Sequence, residues 1–114
     1  MTVCSSVTPT LQKLLKQVFK EVKNHSHSWP FAEPVNTEEV TDYLTVIKDP
    51  IDLQMIERRL KQSALFYKTK AIFQADLVRM CDNCRTFNEP GSVWFNCADK
   101  LQEFVSQKLD SLPV

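Results

Sequence analysis

In the segment Leu11-Gln12-Lys13-Leu14-Leu15-Lys16-Gln17-Val18-Phe19-Lys20-Glu21-Val22, the apolar residues recur at intervals of three and four. Leu11, Leu14, Leu15, Val18, Phe19 and Val22 therefore share one face of a helix. Thr8 followed by Pro9 offers an N-cap and a proline at the first helical position, so a first helix is expected over about 9–26. Residues 1–8 read as a flexible polar lead-in with neither the basic start nor the apolar run of a signal peptide.

The period disappears over residues 27–51, where Pro30, Pro34 and Pro50 interrupt the chain. Trp29, Phe31, Val35, Tyr43, Val46 and Ile47 make this stretch too apolar for a solvated linker. A structured loop of about 25 residues is unusual inside a compact domain and points to function; its prolines lower the entropy cost of holding one shape. Asp52 then caps a second helix over about 53–62, with Leu53, Ile56 and Leu60 inward. Thr69 caps a third over about 69–87, with Phe73, Leu77, Met80, Cys81, Cys84 and Phe87 on its buried stripe. Asn88-Glu89-Pro90-Gly91-Ser92 is a turn by composition. Ser92 caps a fourth over about 93–110, facing Trp94, Ala98, Leu101, Phe104, Val105 and Leu109 inward. Four amphipathic helices predict an all-α antiparallel four-helix bundle with a long structured loop between helices 1 and 2. Parity then puts the long loop and the Asn88 turn at one end, with Trp29, Phe31, Val35, Tyr43, Asn88 and Trp94 around one concavity.

Composition excludes other classes. The chain has 114 residues, 14 Lys+Arg against 14 Asp+Glu, and a formal net charge of 0. That length suits one domain, here 9–112. A single glycine cannot supply a glycine-rich phosphate loop, nor the turns of a many-hairpin β fold. No run of 18 apolar residues crosses a membrane. Cys4, Cys81, Cys84 and Cys97 read as reduced thiols. Zinc is disfavoured, because Cys81 and Cys84 lie on an apolar helical stripe and no second CxxC exists. Nothing orients a base for thiol catalysis. The expectation is therefore no metal, no cofactor and no catalytic residue.

Trp29-Pro30-Phe31 resembles the aromatic shelf of bromodomains. Asp42-Tyr43, Val46-Ile47-Lys48 and Pro50-Ile51-Asp52-Leu53 resemble the end of their long first loop, and Asn83-Cys84-Arg85-Thr86-Phe87-Asn88 the end of their third helix. The motifs stand in order over about residues 9–112. Trp29 to Val35 is most similar to the bromodomain carried by general-control-type histone acetyltransferases, without their catalytic domain. The resemblance implies a left-handed bundle that reads acetyl-lysine in histone tails or other acetylated chromatin proteins, in the nucleus, as a monomer when isolated, with no enzymatic step.

The implied site residues are Asn88, Tyr43, Trp29, Pro30, Phe31, Val35, Phe87 and Trp94, and their chemistry suits the ligand. Acetyl-lysine ends in a neutral amide and a methyl group. The Asn88 side-chain amide can donate to the acetyl carbonyl, and Tyr43 can reach it through a water. Phe31, Val35, Phe87 and Trp94 can enclose the methyl and the stem. Trp94 lies six residues beyond Asn88, at the family's gatekeeper position. Phe87 and Leu44 stand where the family often has tyrosine. An aromatic cage for a methylated ammonium is disfavoured for want of a carboxylate.

Neutrality hides two opposed regions. Lys13, Lys16, Lys20 and Lys23 against Glu21 give the first helix +3, while Glu33, Glu38, Glu39, Asp42, Asp49 and Asp52 against Lys48 give the loop −5. The acidic loop suits a basic tail; the lysine stripe leaves room for a weak DNA contact.

Overall fold

The computed structural model describes residues 10–114. The lead-in, the Thr8-Pro9 cap and Cys4 lie outside the described residues. Helix α1 spans Leu11–Lys23. Its N-cap is Thr10, whose Oγ1 accepts from the Lys13 N–H at 3.2 Å, so the helix starts two residues later than proline placement suggested. It also ends earlier, because the buried Ser28 hydroxyl turns back to the carbonyls of Lys23 and His25, at 2.8 Å each. Lys23 O is a group the helix end would otherwise leave unpaired, and His25 O also accepts the Ser28 N–H at 3.1 Å.

The loop then makes a 3-10 turn at Trp29–Phe31 and a one-turn helix α2 at Tyr43–Val46. Neither carries a helical period, being too short for one. Helix α3 spans Leu53–Gln62, α4 Lys70–Phe87 and α5 Val93–Asp110. Their caps are those expected: Asp52 Oδ2 accepts from Gln54 N–H at 2.9 Å, Thr69 Oγ1 from Ile72 at 3.2 Å and Ser92 Oγ from Phe95 at 3.2 Å. Among the described residues there is no strand. No helix there is long and apolar enough to cross a membrane.

Helices α4 and α5 pair along their length, and α1 packs across both and against α3. Leu15, Val22, Ile56, Phe73, Leu77, Leu101, Val105 and Leu109 are sealed at the centre. Three side chains depart clearly from the expected pattern. Trp94, expected inward, is exposed, and Cys97 takes the buried position instead. Trp94 sits in the first turn of α5, beyond the end of α4. Asp76, on the apolar side of α4, is buried. Its carboxylate accepts from Tyr67 Oη at 2.5 Å, Arg59 Nη1 at 2.7 Å and Arg79 Nη1 at 3.3 Å. A buried carboxylate persists only with such partners.

The long loop is tied to the α4–α5 end, as parity requires. Asn83 Nδ2 donates to Asp49 O at 2.9 Å, and Arg79 Nε lies 3.4 Å from Asp49 Oδ2. Tyr43 of α2 packs edge-on against Phe87 of α4, ring centroids 4.9 Å apart.

Candidate functional site

Asn88 is the first residue beyond α4, in extended conformation at φ −105°, ψ 151°. Its backbone N–H still donates to Cys84 O at 3.0 Å. The side-chain Nδ2 donates to the same carbonyl at 3.0 Å and has Cys84 Sγ at 3.6 Å. One amide hydrogen is thus used to fix the side chain, while the second meets nothing stronger than a thiol sulfur, a weak acceptor. The Cys84 thiol itself donates to Trp94 O at 3.3 Å, which locks the end of α4 to the start of α5. Between them Gly91 takes φ +87°, a left-handed conformation. Nothing lies within 4 Å of where its Cβ would be, so backbone conformation alone asks for glycine.

Tyr43 is buried against Phe87. Burial pushes its hydroxyl pKa up and Cys84 adds to the shift, so the group remains a protonated donor at neutral pH. Phe31 is buried beside it at the loop's first turn, placed there by Pro30 at the start of the 3-10 turn.

The structure gathers Pro30, Phe31, Val35 and Tyr43 in the wall of one cavity of about 320 Å³. The rest of the lining comes from Pro50 and Ile51 of the loop-end motif and from Met55 and Arg58 of α3, the last two of which the sequence did not single out. Met55 and Arg58 lie at i and i+3 beside the inward face of α3, the one signal that could have pointed to them. Asn88, Phe87, Trp29 and Trp94 are not in this wall. Phe87 reaches it through Tyr43, and Asn88 follows Phe87 in sequence. Trp29 and Trp94 are 54% and 46% exposed, free to meet a partner. The Trp29 side chain also faces the Cys97 thiol. Contrary to expectation, carboxylates do line the cavity: Glu33, which is exposed, and Asp52, which is buried and already engaged as the α3 cap.

Among the described residues the thiols offer no activated nucleophile. Cys81, Cys84 and Cys97 are all buried and unpaired as disulfides. Burial pushes the Cys81 thiol up to about 12 and raises the other two. Among the described residues, no three His, Cys, Asp or Glu side chains gather as a metal site would.

Comparison with known proteins places these features. The family model described as Bromodomain matches residues 15–100. Histone acetyltransferase GCN5 of Oryza sativa subsp. japonica is 38% identical over 107 residues, which is 94% of this chain and 21% of the relative. The nucleosome-remodeling factor subunit NURF301 of Drosophila melanogaster is 37% identical over 95 residues, 83% of this chain and 4% of the relative. The chain thus spans about a fifth or less of these curated relatives. The crystal structure of CpBRD2 from Cryptosporidium superposes with a TM-score of 0.83 at 31% identity, covering 96% of this chain and 100% of that one.

Proposed function

The chain belongs to the bromodomain family of acetyl-lysine readers, and from that premise we propose that it binds an acetylated lysine between Asn88, Tyr43 and Phe87. It is a binding module, and no chemical step follows the binding. The observation that carries this reading is the Asn88 amide, held by Cys84 O with its other contact only to the Cys84 sulfur, a weak acceptor that an acetyl carbonyl outcompetes. A buried acetyl carbonyl needs such a donor, because leaving it unpaired costs about 1–3 kcal/mol. Tyr43 supplies the second polar contact, its hydroxyl donating through a water. Phe31, Val35 and Pro30 take the methyl and the stem, and the exposed rings of Trp29 and Trp94 are left to meet residues on either side of the modification.

Unmodified lysine would carry an ammonium onto these apolar rings. Asp52 Oδ2 already caps α3 through the Gln54 N–H and Glu33 is exposed and solvated, so an ammonium drawn onto these rings regains less than it loses in hydration. The acidic loop suits a lysine- and arginine-rich tail, such as that of a histone, and a nuclear, chromatin-bound setting. The isolated domain acts as a monomer.

Titration with peptides carrying acetylated, unmodified and trimethylated lysine tests the reading. Acetylated peptide binding at least tenfold more tightly than the other two is the expected result. Equal affinity for acetylated and unmodified peptide refutes the reader, and preference for the trimethylated one replaces it with a methyl-ammonium cage.

A further inference from the structure

The lysine stripe of α1 is not a lone helix face. Between α1 and α3 lies a cleft of about 260 Å³ whose walls bring Lys16, Lys20 and Lys23 together with Lys61 of α3. Its floor is Phe19 and Leu60, both buried. A single carboxylate, Glu57, stands among the four lysines, 3.5 Å from Lys23 Nζ and 3.6 Å from Lys61 Nζ. Among the described residues Lys16 and Lys20 make no ion pair, so the cleft keeps a net charge of +3. Lys13 extends the stripe along α1, away from the acidic loop, over about 15 Å at 1.5 Å per residue.

We propose that this α1–α3 face is a docking surface for the phosphate backbone of double-stranded DNA. Three features favour that occupant. The cations are all lysines, strongly hydrated point charges that suit phosphate contact without base readout. Those of α1 run in one stripe along the helix, with Lys61 of α3 beside it, which a stiff polyanion can track without the ordering entropy that a flexible acidic peptide would lose. The opposed charge of the loop, −5 over residues 31–52, repels DNA from the loop and so favours the lysine face. The inference does not depend on the acetyl-lysine reading.

The test is fluorescence anisotropy with a 20-base-pair mixed-sequence duplex, titrated with the 114-residue chain across a salt series. Each phosphate contact contributes about 0.9 to the slope of log K against log salt, so four lysines give a slope of about −3 to −4. Lys16→Ala with Lys20→Ala should reduce its magnitude by about two, and Lys61→Ala by about one. Glu57→Gln, which releases Lys23 and Lys61, should tighten binding several-fold. Lys16, Lys20 and Lys61 are exposed, and their replacement should leave the thermal melt and acetyl-peptide affinity unchanged. DNA affinity and slope that do not move in the lysine variants overturn the proposal. So does a polyglutamate peptide that binds more tightly than the duplex at equal salt, which would mark the cleft as a site for acidic protein segments.

Discussion

Replacing Asn88 by alanine separates recognition from folding. In the proposed complex it leaves the buried acetyl carbonyl with no direct donor, at a cost of about 1–3 kcal/mol. At 1.4 kcal/mol per tenfold, the Kd for an acetylated peptide rises about 5- to 150-fold. The folded chain should barely respond. Cys84 O loses the side-chain donor but keeps the Asn88 backbone N–H at 3.0 Å, so the end of α4 stays closed. Cys84 Sγ keeps its bond to Trp94 O. Asn88→Asp should be worse on both counts, since it has no donor and sets a carboxylate against that carbonyl. Calorimetric titration with acetylated and unmodified peptide, run beside a thermal melt, reads both effects. A Kd within twofold of the unaltered chain, with the melt intact, refutes the assignment of Asn88. A collapsed melt instead makes Asn88 a structural cap.

Three further outcomes follow from the same geometry. Asp76→Ala strands the Tyr67 hydroxyl and two arginines, and should cost about 3–5 kcal/mol by urea unfolding; Tyr67→Phe should cost about 1 kcal/mol, and the double variant less than the sum, because no hydroxyl is then left unpaired. Cys81, Cys84 and Cys97 should resist iodoacetamide at pH 8 in the folded chain and react once it is unfolded, as mass spectrometry would show; prompt labelling of Cys81 contradicts its raised pKa. His25 packs on Phe104 at 4.5 Å, and burial, with His27 adding, lowers its pKa below 6.5. The unfolded chain therefore takes up the proton first, so this contribution to stability is present above pH 6.5 and lost as pH falls through the folded value. Melts at pH 7.5 and 5.5 should show a drop that His25→Asn diminishes.

The sequence by itself determined what depends on near neighbours along the chain. The stripes of α1, α3, α4 and α5 follow from a 3.6-residue period. Asp52, Thr69 and Ser92 mark helix starts because a cap reaches only two or three residues onward. Gly91 marks a turn that needs a positive φ. The order of shelf, loop and Asn88 motifs was enough for the family. Parity even placed the loop beside the Asn88 turn. Only the tertiary structure decided which distant groups meet. Tyr43 packs on Phe87, Asp49 is pinned by Asn83 and Arg79, and Met55 and Arg58 close a cavity that the loop alone does not define. Asp76 is buried although its helix reads as apolar there, because Tyr67 and Arg59 come from elsewhere to meet it. Trp94 is exposed although its period says inward, because no helix extends to cover it. Lys61 joins the α1 stripe only through the packing of α3 on α1. Periodicity and capping act within a turn or two of helix, whereas these contacts join residues far apart in the chain and exist only once the helices have packed.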